Sequence, residues 1–398
     1  MSDDWHSTKL GDCLVPVSRT VAVVDLDNVP FAGVRWYAEG VYHRSTQRAD
    51  EVKTKRLNLL KRDDIVYNRM WATKAAFGVA GSDVDGCLVT NDFPIYTTNE
   101  HALPGWIGLV FQSSGFQAEA AARAVGTTER RRLHQEQFCD IPIPLPPLPV
   151  QRRIVDMVEH LDNQVDRLHA EAQAARELLR PLLVSLVENS EGVNWVPLGD
   201  VGDFVRGRRF TKRDYVPSGL GCIHYGQIHT HFGHLATASL TFLPQGLRSR
   251  LRIARPGDVV VAAASEDIAG LGKATVWMGD EDVAVHDDCF IFRHGLDPRF
   301  ASFLFDSPWF HSQKRKYASG MKVSRILGDN LARIEVPVPS METQRQVGDA
   351  LSQLIAEAEA LEAEEVALRR LRGSLLTLLL SGRHDIPESY AELLGVSS

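Results

Sequence analysis

Residues 141–155 read IPIPLPPLPVQRRIV, and residues 334–347 read IEVPVPSMETQRQV. Pro144 falls on Pro337, Pro146 on Pro339, Leu148 on Met341, and Gln151-Arg152 on Gln344-Arg345, all at an offset of 193 residues. The correspondence continues through an apolar-periodic run to Val187 in the first copy and Leu380 in the second. Proline cannot join a helix ladder and biases the preceding residue toward extended backbone, so each proline-rich lead-in predicts an extended segment feeding a helix start. Apolar or small residues then recur in steps of four and three: Ile154, Val158, Leu161, Val165, Leu168, Ala172, Ala175, Leu179, Leu182 and Leu186. The second copy repeats the pattern with Val347, Leu351, Leu354, Ala358, Leu361, Leu368, Leu375 and Leu379, interrupted by Glu365 and Arg372, where Val366 and Leu371 stand ready to take over if the stripe drifts. Four-three spacing over this length predicts the seam of a coiled coil, the two helices packing on each other.

The segments before the two repeats also match. Leu10-Gly11-Asp12 after Trp5 resembles Leu198-Gly199-Asp200 after Trp195; Asp64-Ile65-Val66 resembles Asp258-Val259-Val260; LVTNDFPIY, ending at Tyr96, resembles VAVHDDCFIF, ending at Phe292. The expected chain is α+β: a globular unit over 1–140, a helical region over 141–194, a second globular unit over 195–333, a second helical region over 334–385, and a tail over 386–398. With 398 residues and 44% hydrophobic content, the chain is large enough for two cores. No run of 18 apolar residues and no basic-then-apolar leader is present, and the five cysteines never form a CxxC pair. A soluble cytoplasmic protein with free thiols is expected.

The net charge of −7 hides a segregation. Residues 195–333 hold 18 Lys or Arg against 14 Asp or Glu, whereas both helical regions are acidic, with Glu159, Asp162, Asp166, Glu357, Glu362 and Glu364 outside the seam. Basic residues gather as Arg206, Arg208, Arg209, Lys212 and Arg213, and again as Lys314, Arg315, Lys316, Lys322 and Arg325. The first unit offers Arg130, Arg131 and Arg132, with Arg132 aligned to Arg325. Such clusters are candidates for positioning DNA phosphates, and arginine can read guanine edges in the major groove.

Two variable units alternating with two repeated helices, each helix introduced by an IPxPxPxxxxQRxI-like phrase and the second closed by LLTLLLSG at 375–382, resemble the DNA-specificity subunit of type I restriction-modification systems. The phrases YNRMWATKAAFGVAG at 67–81 and IHYGQIHTHFG at 223–233 resemble segments of that family's target-recognition domains. The resemblance covers essentially the whole chain. It implies two target-recognition domains that each read half of a split double-stranded DNA site, separated by an antiparallel coiled coil acting as a ruler. It also implies docking of two methyltransferase subunits and recruitment of translocase and endonuclease subunits. S-adenosylmethionine, ATP and Mg would then belong to those partners, with no cofactor on this chain.

What the sequence lacks points the same way. There is no GxxxxGK[ST], since Gly270-Leu271-Gly272-Lys273-Ala274 has neither the loop length nor the hydroxyl. No [DNS]PP[YFW] phrase of amino-methyltransferases occurs, and the chain is expected not to be an enzyme. The alternative from another class rests on His224, His229, His231 and His234, a concentration of imidazoles suited to a metal-dependent hydrolase. Alternation in a strand would send His229 and His231 to one side, and a stand-alone coiled-coil DNA-binding protein is the further alternative. Trp71 and Trp277 read as core or groove-wall residues, and Asp64 and Asp258 as turn residues before buried strands.

Overall fold

The computed structural model describes residues 5–126, 131–320 and 324–382. It divides into two compact units, Met1–Arg167 with Glu364–Ser398, and Leu168–Ala363. Each long helix, Leu148–Glu188 and Met341–Leu380, therefore gives its first half to one unit and its second half to the other.

In the first unit a four-stranded sheet runs in the order Leu14–Val17, Ile95–Thr98, Ile65–Tyr67, Phe77–Val79. A five-stranded sheet runs Thr20–Ala22, Arg56–Leu59, Leu88–Val89, Asn28–Val34, Val41–Arg48. The second unit repeats both orders. Gly202–Arg206, Cys289–His294, Val259–Ala262 and Ala274–Trp277 follow one another in one sheet, and Arg252–Ala254, Val283–Val285, Leu220–Ile223 and Thr241–Leu243 in the other. The matched sequence phrases occupy matched strands. Asp64 and Asp258 are buried, each accepts the backbone N–H three residues earlier, from Lys61 (2.7 Å) and Arg255 (2.9 Å), and each is held by an arginine, Arg19 or Arg293. The residue before each is left-handed, Asp63 at φ 67° and Gly257 at φ 94°, so the same turn was built once with glycine and once without.

Each proline-rich lead-in closes its own unit. Pro142–Leu145 pairs antiparallel with His6–Lys9, and Glu335–Val338 with Asn194–Pro197. The repeated glutamine explains why the lead-in and helix start recur together. Gln151, fully buried, accepts from Leu103 N (2.9 Å) and donates to His101 O and Pro146 O (both 2.8 Å). Gln344, likewise buried, accepts from Asp297 N (2.9 Å) and donates to Pro339 O (2.9 Å). Leu103 and Asp297 are the N-caps of the matching helices Pro104–Gln112 and Pro298–Leu304, each with proline in its first turn. A single side chain thus joins the turn before the long helix to the start of a helix in the globular part.

Within each unit the two half-helices run antiparallel. In the second unit Arg176 makes a bidentate pair with Glu362 (2.6 and 2.8 Å), and in the first Arg372 does so with Asp162 (2.6 and 2.8 Å). Ile154, Val158, Val165, Leu168, Leu179, Val347 and Leu351 are buried, and Leu161, Leu354, Leu361, Leu368 and Leu375 half-buried. Toward the end of the first helix the stripe moves by one residue, Leu183 and Val187 being buried where Leu182 and Leu186 are not; in the second, Leu376 is buried beside half-buried Leu375 while Leu379 stays buried at its expected place. A 3.6-residue helix lags a strict heptad by about 20° per repeat, so about four heptads accumulate roughly one position.

One expectation about the seam is overturned. Val366 and Leu371 do not take over, being 48% and 57% exposed, whereas Glu365 is 9% exposed and Arg372 points inward. Midway along the helix the drift is only about half a residue, and the polar side chains are satisfied where they stand. Glu365 pairs with Arg369 (2.8 Å), and Arg372 also donates to Gln112 Oε1 (2.8 Å). Arg180 reaches the position matching Gln112, where Asp306 accepts at 2.6 and 3.2 Å. Among the described residues no helix is long and apolar enough to cross a membrane.

Candidate nucleic-acid interface

In the second unit the segment from Arg206 to Arg213 is strapped over the end of a sheet. Arg206 Nε donates to Asp287 O (2.8 Å), Gly207 N to Cys289 O (3.0 Å) and Arg208 N to Val285 O (2.9 Å). A Cβ on Gly207 would lie 2.1 Å from His286 O, so only glycine lets the strap lie this close. The side chains of Arg208, Arg209, Lys212 and Arg213 are left exposed. His286 beneath the strap is desolvated, but its hydrogen bond and ion pair with Asp288 (2.8 Å) raise its pKa overall.

The second cluster divides. Arg315 and Lys316 are exposed, as is Arg325 in the strand Ser324–Arg325, which pairs with Ala264–Ser265. Lys322 lies outside the described residues. Lys314 is a correction: it is 2% exposed, and its Nζ donates to Ala269 O (2.8 Å) and Leu271 O (2.7 Å), so its amine ties down a loop and cannot meet a phosphate. Burial lowers its pKa to about 8. Sequence alone does not separate Lys314 from its neighbours, because helix Pro308–Lys314 turns this cation inward with Phe310 while Arg315 and Lys316 stay exposed.

In the first unit Arg131 and Arg132 are exposed, and Arg130 lies outside the described residues. Arg132 forms an antiparallel bridge with Val125, as Arg325 does with Ser319, so the aligned arginines occupy equivalent crossings. Asp92 lies 3.4 Å from the Arg132 guanidinium. Missed in the sequence were the phrases VFQSSGF, 110–116, and LFDSPWF, 304–310. Ser113 and Ser307 each cap a helix by accepting from Phe116 N or Phe310 N (both 3.2 Å). The S-x-x-F spacing of both was the available signal.

The histidines disperse. The expected strand is instead the helix Tyr225–Thr230, capped by His224, so alternation does not apply. His229 Nε2 lies 3.3 Å from Ala264 O, His231 Nδ1 2.5 Å from Thr230 Oγ1, and His234 packs 4.5 Å from the Phe303 ring with Asp306 3.8 Å away. Burial lowers the pKa of His224 and of His234. Among the described residues no three His, Cys, Asp or Glu side chains gather in a metal-binding group. Trp277 is 3% exposed and donates to Glu281 O (2.7 Å), while Trp71 is half-buried against exposed Trp36 at 5.4 Å.

These features define a class: a duplicated α+β protein whose units share a helix-anchoring frame and carry exposed basic segments. The family profile described as type I restriction modification DNA specificity domain matches residues 110–175 and 190–368. The chain belongs to that family. It is 22% identical over 268 residues to the type I restriction enzyme MjaVIII specificity subunit of Methanocaldococcus jannaschii, spanning 62% of this chain and 63% of that protein. It is 23% identical over 206 residues to the StySPI specificity subunit of Salmonella potsdam, spanning 48% and 43%. The matched region is thus under two thirds of either relative. A chain solved in work on complex assembly and conformational transition of the type I R-M system superposes with TM-score 0.60 at 20% identity, covering 96% of this chain and 98% of that one. The S subunit from M. genitalium gives 0.55 at 12% identity, covering 95% and 97%.

Proposed function

We propose that this chain is the non-catalytic DNA-specificity subunit of a cytoplasmic type I restriction-modification complex, each α+β unit reading one half of a split duplex site. The observation that carries this reading is the duplicated frame. Gln151 and Gln344 fix equivalent joints, while the exposed basic segments of the two units differ in sequence. One frame bearing two different surfaces suits two different half-sites. At 1.5 Å per residue the long helices, 41 and 40 residues, extend about 60 Å. Equivalent major-groove faces recur about every 34 Å, so helices of this length suit a ruler between half-sites. Leu178 and Leu371, at matching positions of the two copies, are 55% and 57% exposed and offer two equivalent points for methyltransferase subunits. S-adenosylmethionine would bind those subunits, and ATP and Mg the translocase and endonuclease subunits.

The test is a genome-wide map of adenine methylation in a host with the gene and its neighbours, against a strain deleted for it. The expected result is loss of methylation at one motif of two short specified halves around a fixed gap. No motif lost would sink the specificity role. A second measurement checks the basic segment directly. Arg315→Ala with Lys316→Ala is expected to lower the salt dependence of duplex binding by the full chain by about two phosphate contacts, roughly 1.8 in log–log slope. An unchanged slope would remove these residues from the interface.

A further inference from the structure

Helix Tyr225–Thr230 lies between the two basic clusters of the second unit and is tied to both. On one flank Tyr225 N donates to Asp288 Oδ1 (3.2 Å), next to Asp287, whose carbonyl accepts from Arg206 (2.8 Å). On the other, His229 meets Ala264 O (3.3 Å), and Ala264 pairs with Arg325. Gln227 and Ile228 anchor the inner face: both are buried, and Gln227 Nε2 donates to Thr241 Oγ1 (3.0 Å). Left outside are Tyr225, Thr230 and His231. The helix is thus linked through Asp287 and Asp288 to the segment carrying Arg206 and through Ala264 to the strand carrying Arg325, a placement suited to a groove bordered by two rows of phosphates.

The contacts at its end select one ring tautomer of His231 as the complementary one. Thr230 Oγ1 has one proton and lies 2.8 Å from Gly226 O, which can only accept, so the hydroxyl donates there. In the tautomer that complements this bond, His231 Nδ1, 2.5 Å from the same oxygen, carries the ring proton and donates to it. Nε2 of this exposed residue is then left as the acceptor. The donors that the major groove offers are the exocyclic amino groups, N6 of adenine and N4 of cytosine.

We infer that residues 225–231 are the base-reading element of the second unit, with His231 Nε2 accepting from an adenine N6 or cytosine N4 amino group of its half-site. This rests on the DNA-specificity role proposed above. The corresponding place in the first unit supports it. Leu220–Ile223 and Thr241–Leu243 match Asn28–Val34 and Val41–Arg48 in sheet order, and the connection over residues 35–40 likewise presents exposed aromatics, Trp36 and Tyr37. Tyr37 and Ala38 there sit at φ 59° and 57°, a left-handed backbone that side chains rarely adopt, with Ala38 buried and Tyr37 exposed. The frame is shared, and this connection is short in one unit and long in the other.

The experiment maps methylated motifs in cells carrying the full gene set with wild-type, His231→Lys or His231→Gln. Glutamine keeps an acceptor, whereas the lysine ammonium only donates. His231→Lys is expected to shift preference at one base of one half by about tenfold, from adenine or cytosine toward guanine or thymine, with the other half unchanged. His231→Gln is expected to retain the wild-type base. An identical motif in the Lys variant overturns this inference while leaving the specificity role intact. Loss of the entire half by both variants would assign the segment to folding and overturn it as well. Absence of any split motif in the wild type would sink both readings together.

Discussion

Gln151→Leu is expected to destabilise the first unit by about 3–5 kcal/mol. The leucine fills much the same space but leaves Leu103 N, His101 O and Pro146 O without the partner that held them at 2.8–2.9 Å. Each backbone group stranded in this way costs on the order of 1–3 kcal/mol, with the lower end applying where water has partial access. Two of the three groups are partly buried and one buried, which gives the range stated. Hydrogen exchange is the right measurement because it reports the two units separately. Protection should fall in the helices starting at Pro104 and Leu148 and persist in residues 168–363. Arg152→Ala, one residue along and exposed, is the comparison and should stay within about 0.5 kcal/mol. Equal effects of the two substitutions would mean that the glutamine does not anchor the joint.

Lys314 yields the second large effect, and its sign is set by burial. Its folded pKa is about 8 against 10.5 for a free lysine, so between these pH values the unfolded chain binds more protons than the folded one. Stability contributed through this group therefore rises as pH increases from about 8 to about 10.5 and is flat below 8. A gap of this size corresponds to about 3 kcal/mol. The uncharged amine still has protons for Ala269 O and Leu271 O, so deprotonation removes the desolvation cost without breaking the tie. Denaturation of wild type and Lys314→Met across this window isolates the term, since other titrations are common to both. The wild-type advantage should grow by about 3 kcal/mol with pH; a constant difference would show that the amine is hydrated in the folded protein.

Seam polarity illustrates a limit of periodicity. Glu365 and Arg372 look like faults in an apolar stripe, and Val366 and Leu371 look like remedies. The structure keeps the polar pair inside because Arg369, Asp162 and Gln112 satisfy it, and those partners lie four, about two hundred and more residues away. A hydropathy pattern carries the face of a helix but not the identity of what meets that face. Lys314 and Arg315 make the same point, as adjacent cations of which one is interior.

The sequence by itself determined the duplication, the two long helices, their proline-rich starts and most of the seam, because these follow from local backbone preference and from spacing at 3.5 to 3.6 residues. It also placed Asp64 and Asp258 correctly at turns before buried strands. Only the tertiary structure decided that Gln151 and Gln344 are joints, that Lys314 faces inward, and that His229 lies in a short helix with His224 and His231 at its ends while His234 packs apart against Phe303. Those outcomes depend on partners brought together by sheet order and by antiparallel helix pairing. Hydrogen bonds and desolvation act over a few ångströms of space, whatever the separation along the chain.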